Sequence, residues 1–176
     1  MDQLYASIDL HSTNSYCGII DKNRDWVKHK RLKNRFEDID AFFKPYKNQI
    51  SAIAIESTYN GYWLIDGLME EGYIVKLGNP AKMGDYSSLK EQNDKTDTKW
   101  LGTLLNLGIF PESYIYPKED RPVRDLLRKR MLFQSAKMKV LNSINNQFQT
   151  WQNTNICQKD LMELWMKFAE PANRHR

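Results

Sequence analysis

The sequence is poor in the residues that build disulfide and zinc sites. Its 176 residues include only two cysteines, Cys17 and Cys157, which are far apart and belong to no C-x-x-C motif. The three histidines, His11, His29 and His175, lack the spacing of zinc ligands. We therefore expect free thiols in a reducing compartment, and neither a disulfide framework nor a zinc site.

The chain also lacks long hydrophobic runs, internal repeats and low-complexity segments. No apolar stretch is long enough to span a bilayer, and no apolar run follows a basic N-terminus. These absences predict a soluble, cytoplasmic protein that has no membrane partner.

The residues that are present predict a folded domain with an appendage. Hydrophobic residues make up 41% of the chain and aromatic residues 12%, which favours a folded core over disorder. Lys and Arg outnumber Asp and Glu by 26 to 22, a net charge of +4. Because this excess is small, the distribution of charge is more informative than its sum.

The first half of the chain predicts an α/β fold with a mixed sheet. Residues 4–10, 16–20 and 26–32 are short apolar segments joined by polar turns, which predicts a three-stranded antiparallel meander. A helix is expected from Asn34, which has capping-box spacing to Glu37. The apolar run 51–56 predicts a strand buried on both faces, followed by a helix at 62–71 that ends at Gly72 and a strand at 73–77. Such crossover units predict parallel strands flanked by helices. A short helix around 82–89 and a loop at 111–120 are also predicted.

The segment 93–97, NDKTD, carries two acids three residues apart. If Asp94 begins the helix that follows, the carboxylates of Asp94 and Asp97 lie near one face of its first turn. Trp100 and several leucines continue at helical spacing, and Gly108 is a suitable end. Acids at a helix start also act as a cap and as partners of the helix dipole, and this alternative stays open.

Two further acids are predicted at strand ends, where sites form in open α/β sheets. Asp9 lies near the end of the first strand, and Glu56 ends the run 51–56. Four carboxylates close together would repel one another unless a cation lay between them. Oxygen ligands favour Mg²⁺, or Mn²⁺, and paired ions of this type assist phosphoryl transfer. The predicted catalytic and metal-binding residues are thus Asp9, Glu56, Asp94 and Asp97.

Each of these acids also has a purely structural alternative. A strand-end Asp such as Asp9 often forms a turn or a cap. Glu56 has Lys76 as a possible ionic partner. Spacing alone does not decide between a metal site and these structural roles.

The C-terminal third changes character and becomes basic. Pro122 suits the first position of a helix, and one long amphipathic helix is predicted over about 122–152. An imperfect heptad line, which includes Leu127, Met131 and Met138, favours self-association into a homo-oligomer. The predicted domains are 1–118, 119–153 and 154–176, the last a short helix and tail. The expected nucleic-acid-binding residues, whose alternative is a solvated helix face, are Arg121, Arg124, Arg128, Lys129, Arg130, Lys137 and Lys139.

Four segments together resemble the transposases of the insertion-sequence one-ten family. They are 8–11 (IDLH), 53–58 (IAIEST), 78–80 (GNP) and 94–97 (DKTD), and the likeness extends over about residues 4–150. The resemblance implies an RNase H-like, RuvC-like domain of a bacterial or archaeal mobile element. It further implies that Asp9, Glu56, Asp94 and Asp97 bind magnesium, that DNA is the substrate, and that a structured guide (bridge) RNA is a partner. His11 matches the first motif, but no catalytic role is assigned to it.

One departure from the family limits the expected activity. The family's proteins continue into a second catalytic domain that supplies a serine nucleophile, and nothing after Trp151 resembles it. Complete transposition is therefore not expected from this polypeptide. Two alternatives to a metal-dependent transposase domain stay open: a non-catalytic nucleic-acid-binding or regulatory protein, and an autonomous RuvC-like junction endonuclease.

Overall fold

The computed structural model describes residues 3–56, 61–84 and 94–169, without the side chains at 94–96, 164–165 and 167–169. The chain divides into two compact units, Met1–Ile115 and Tyr116–Arg176. Within the described residues, no helix combines the length and apolar character that crossing a membrane requires.

The first unit is built on one six-stranded mixed sheet. Its strands are β1 (Leu4–Leu10), β2 (Asn14–Ile20), β3 (Trp26–Lys33), β4 (Ile50–Glu56), β5 (Val75–Gly78) and β6 (Glu112–Ser113), in the spatial order β3-β2-β1-β4-β5-β6. Strands β1 to β3 form an antiparallel meander, whereas β4 and β5 run parallel to β1. The predicted α/β class and mixed sheet are confirmed, and the topology is compatible with an RNase H-like fold. Strand β6, which pairs antiparallel with β5, lies where the sequence predicted only a loop.

The helices follow the predicted order with shifted ends. They are α1 (Phe36–Phe43), α2 (Tyr62–Glu70), α3 (Pro80–Met83), α4 (Asp94–Asn106), α5 (Arg121–Gln152) and α6 (Gln158–Ala169), and a 3₁₀ turn (Lys44–Tyr46) follows α1. Helix α3 begins earlier than the helix predicted at 82–89, because the side chain of Asn79 accepts hydrogen bonds from the amides of Ala81 and Lys82. The rest of that predicted helix, 85–89, lies outside the described residues.

Strand β4 is covered on both faces, as its continuous apolar sequence predicted. Ile53 and Ile55 belong to the larger core cluster, which includes side chains of α1 and α2. Ala52 and Ala54 belong to a second cluster, which includes Leu101 and other side chains of α4. The sheet is therefore packed between α1 and α2 on one face and α4 on the other.

Small residues allow α4 to lie close to the sheet. A Cβ atom added at Gly102 would lie 3.1 Å from Cδ1 of Ile20 and 3.3 Å from Oγ of Ser7. One turn earlier along α4, Ser7 Oγ donates a 2.7 Å hydrogen bond to the carbonyl oxygen of Thr98. This buried bond fixes the first turns of α4 against β1, just before the end of that strand.

The capping box predicted at Asn34 is wrong. Helix α1 begins after Arg35 and has no side-chain cap. The side chain of Asn34 instead connects the ends of two strands: Oδ1 accepts from Ser15 Oγ, and Nδ2 donates to the carbonyl oxygen of His11, each at 2.7 Å. Asn34 therefore holds the turn between β1 and β2 rather than the helix.

The second unit contains the long helix predicted from the sequence. Helix α5 has 32 residues and no buried side chain, and it is capped at its C-terminus by Asn153, whose φ of 50° is left-handed. Helix α6 corresponds to the predicted short helix, although the side chains of Leu164, Trp165 and Phe168 lie outside the description.

Candidate carboxylate site

Asp9 and Glu56 lie side by side at the carboxyl ends of two neighbouring parallel strands. Ile8 of β1 is the register partner of Ile55 of β4, so Asp9 and Glu56 are the next residues along each strand. Adjacent strands are about 5 Å apart, and successive side chains alternate between the faces. Because Ile8 and Ile55 face the larger core cluster, both acids face the opposite side, which α4 covers.

Asp9 is enclosed and has a histidine partner. It is 7% exposed, and its Oδ2 lies 3.2 Å from Nε2 of His11. His11 sits at the turn that the Asn34 side chain holds through the His11 carbonyl oxygen. An enclosed carboxylate needs polar or cationic partners, and His11 is such a partner when it is protonated.

Asp97 approaches the same strand end from α4. The helix begins at Asp94, as predicted, so Asp97 lies in its first turn, and its Oδ1 is buried from solvent. The neighbouring Thr98 accepts the bond from Ser7, two residues before Asp9 on the same face of β1. Thr98 Oγ1 also lies 3.4 Å from the carbonyl oxygen of Tyr16, the register partner of Asp9. The fold therefore places Asp9 and Glu56 at one end of one sheet face, and packs the first turn of α4, which carries Asp97, against β1 and β2 on that face.

The fourth predicted acid cannot be placed with them, because the side chain of Asp94 lies outside the description. Among the described residues, no three or more His, Cys, Asp and Glu side chains form a group that could hold a metal ion. The oxygen donors of Asp9 and Glu56 suit a hard divalent cation, but the described side chains do not complete its coordination. The four-acid metal site therefore stays a prediction.

The proposed ionic partner of Glu56 is engaged elsewhere. Lys76 Nζ lies 2.5 Å from Oε1 of Glu112, across the β5–β6 pair. This ion pair connects β5 and β6, the last two strands in the spatial order of the sheet. The structural alternative for Glu56, an ion pair with Lys76, is therefore not supported.

The predicted nucleic-acid-binding residues of α5 fall into two groups. Arg121 and Arg124 are half-buried against Tyr116: Arg121 Nε donates to the Tyr116 carbonyl oxygen at 2.8 Å, and the Arg124 guanidinium lies 4.8 Å from the ring centroid. These contacts secure the start of the helix. The exposed group consists of Arg128, Lys129, Arg130, Lys137 and Lys139.

Sequence reasoning missed two features beside the acids. Tyr16 pairs with Asp9 across the sheet, and its hydroxyl lies 2.8 Å from Nδ1 of His29 on β3. Strand β3 itself carries the basic run KHKRLK over residues 28–33. That run was visible in the sequence, but the segment was interpreted only as a third strand.

Comparisons with known proteins place the chain in no family. No protein-family model and no curated protein matches it, so the resemblance to the one-ten transposases stays a prediction. A distant structural likeness exists to the large terminase of a thermophilic bacteriophage, with 17% sequence identity and a TM-score of 0.38. The alignment covers 62% of this chain and 28% of the terminase chain. Similarity at this level assigns neither a family nor an activity.

Proposed function

We propose that the first unit is a nucleic-acid-processing domain whose carboxylates support metal-dependent chemistry at phosphodiesters. One observation carries the proposal: Asp9 and Glu56 occupy matching positions at the ends of adjacent parallel strands, on the face where α4 supplies Asp97. The carboxyl ends of neighbouring parallel strands are the usual position of sites in open α/β sheets. A carboxylate that only capped a helix or formed a turn would not need a second acid at the matching position of the neighbouring strand.

Within this proposal, the residues have separate roles. Asp9 and Glu56 would hold Mg²⁺ or Mn²⁺, with Asp94 and Asp97 completing the set. The bound ion would supply charge stabilisation for the attacking and leaving oxygens of a phosphoryl transfer. His11 would orient the Asp9 carboxylate through its 3.2 Å contact, and the Asn34 bond would keep His11 in place.

The more specific proposal is the RuvC-like domain of a DNA transposase or recombinase that uses a structured guide RNA. Its support is the sequence resemblance in segments 8–11, 53–58, 78–80 and 94–97, together with the mixed-sheet topology. The exposed cations of α5 would bind phosphates of the DNA or RNA.

Calorimetric titration with MgCl₂ or MnCl₂ tests the metal site. We expect Asp9→Asn and Glu56→Gln each to weaken binding at least tenfold, since each removes a charged oxygen ligand. The matched controls are Asp25→Asn and Glu37→Gln, which alter exposed carboxylates elsewhere in the unit. Equal affinity in the site variants and the controls would refute the metal site.

A second candidate is a nucleic-acid-binding protein without catalysis. The observation in its favour is that the described side chains form no metal-binding group, while Asp9 already has His11 as a partner. Gel shifts with structured RNA in excess chelator separate the candidates. Full affinity without metal, combined with no Mg²⁺-dependent cleavage of DNA, supports this second function.

A further inference from the structure

A basic groove lies between strand β3 and helix α1. Its volume is about 490 Å³. Five cationic side chains line it against a single acidic one: Lys28, Lys30, Arg31, Lys33 and Arg35 against Asp38. The groove therefore has a strong excess of positive charge within a chain whose net charge is only +4.

Two of the five cations have contacts within the groove. Arg35 Nε donates to Asp38 Oδ2 at 3.0 Å, so the one carboxylate is neutralised within the groove. Lys28 is held in the wall, where its Nζ lies 4.7 Å from the centroid of the Phe42 ring and 3.5 Å from the Phe42 carbonyl oxygen. Lys30, Arg31 and Lys33 are exposed.

Protection of the sheet edge alone does not account for this pattern. Strand β3 is an edge strand, and lysines on such strands hinder the addition of another strand. Here the basic residues face both sides of the sheet. Lys28 packs toward α1, whereas His29 and Arg31 are register partners of Gly18 and Tyr16, whose side of the sheet faces α4. The positive charge therefore continues around the edge from one face to the other.

Aromatic rings accompany the cations on the α4 side. The His29 ring stacks on the Tyr16 ring with centroids 5.9 Å apart. The Trp26 and His29 ring centroids are 4.8 Å apart. A basic groove with neighbouring aromatic rings is the combination that proteins use to bind single-stranded nucleic acids. Free phosphate or a small anion would need neither the rings nor the length of the strand.

The groove is also close to the acids. Arg31 pairs with Tyr16, and Tyr16 pairs with Asp9, so the three residues occupy successive strands at one level of the sheet. Two strand spacings correspond to about 10 Å between the backbones of Arg31 and Asp9. We propose that the groove binds the sugar-phosphate backbone of a single nucleic-acid strand and guides it to the carboxylate end of the sheet. The identity of this anion rests on the proposed function.

A pair of charge-matched triple variants tests the groove. The first combines Lys30→Gln, Arg31→Gln and Lys33→Gln, and the control combines Lys22→Gln, Lys44→Gln and Lys82→Gln. Each removes three positive charges from exposed positions of the first unit. Fluorescence anisotropy of a labelled single-stranded DNA oligonucleotide gives the affinity of the full chain at several salt concentrations. Excess chelator is present throughout, and thermal melts confirm that both variants are folded.

The groove variant is expected to lose at least tenfold in affinity at low salt, whereas the control loses less than twofold. The slope of log K against log salt should fall by about 2, because each phosphate contact to a single strand contributes roughly 0.7. Equal losses in both variants, or no loss in the groove variant, would overturn the proposal. Displacement of the oligonucleotide by inorganic polyphosphate, as efficiently as by unlabelled oligonucleotide, would overturn the assignment to nucleic acid.

The chelator makes the two proposals separable. Binding to the groove is measured without metal, so it does not depend on Asp9 or Glu56 holding an ion. If the metal titration fails while the groove result holds, only the proposed metal-dependent chemistry is refuted. The reverse result would refute the groove alone.

Discussion

At the level of single side chains, the two cysteines have very different environments. Cys17 lies on β2 with no exposed surface, inside the larger core cluster, and burial raises the pKa of its thiol well above the ordinary value. Cys157 is exposed just before α6. Because the thiolate is the reactive form, burial and a raised pKa both oppose reaction at Cys17, whereas Cys157 is accessible to a reagent.

We therefore predict that one thiol per folded chain reacts promptly with a disulfide reagent such as dithionitrobenzoate. The second should react only after denaturation, because Cys17 must first leave the core. Cys157→Ser should abolish the prompt reaction and leave the slow one. Prompt reaction of two thiols in the folded protein would show that β2 is not buried as described.

The side chains around the candidate site show the limit of local sequence patterns. Asp9 and Glu56 were predicted together because Asp9 lies near the end of the first apolar segment and Glu56 ends the run 51–56, and strand ends can be inferred from hydrophobic patterning. Asn34 was assigned to a capping box because only its spacing to Glu37 was visible. Its actual partners, Ser15 and the His11 carbonyl, are brought close by pairing of β1, β2 and β3. Pairing of distant segments is not encoded in a four-residue pattern.

At the level of elements, hydrophobic patterns were sufficient to predict the strands and helices that have a regular pattern. They did not predict an element that forms only by pairing with another strand. Strand β4 and the start of α4 at Asp94 follow from a continuous apolar run and from helical spacing. Strand β6 has two residues, Glu112 and Ser113, and no alternation of its own. It exists because it pairs with β5 and because Lys76 and Glu112 form an ion pair. No sequence window of that length predicts a strand.

Helix α5 presents apolar side chains to solvent over most of its length. Met131 is 71% exposed, Phe133 is 69% exposed and Trp151 is 85% exposed. Exposed apolar surface of this extent on a long helix is typical of an interaction surface. The predicted heptad line, in which Met131 and Met138 occupy equivalent positions, makes self-association the expected use.

We predict that the chain forms a homo-oligomer through α5. Sedimentation velocity should show a species heavier than the monomer, and Met131→Glu with Met138→Glu should shift it to the monomer, because buried carboxylates oppose association. The control pair is Ala136→Glu with Ser143→Glu, which places equal charge on exposed positions of the opposite helix face. A monomeric wild-type chain, or dissociation by both pairs alike, would contradict this prediction.

At the level of the whole molecule, the two units differ in how their apolar residues are used. Both core clusters consist of residues from the first unit. The sheet lies between the two clusters, and β1 and β4 contribute side chains to both of them. Apart from β6, the order of strands and α-helices in this unit followed from sequence. The close packing of α4, which carries Asp97, on the sheet face of Asp9 and Glu56 followed only in outline, because it depends on small residues such as Ser7 and Gly102 that let α4 approach.

We predict that a fragment of residues 1–115 folds without the second unit. Its core contains both described clusters, including Ile115, which packs against the larger one. Thermal unfolding followed by circular dichroism should be cooperative, with a midpoint within about 5 °C of the first unit's transition in the full chain, a difference of roughly 1 kcal/mol. The complementary fragment 116–176 has no buried side chain in α5, so its helix content should depend on concentration if association stabilises it. A fragment 1–115 that lacks a cooperative transition would mean that the sheet needs residues beyond Ile115 to complete its core.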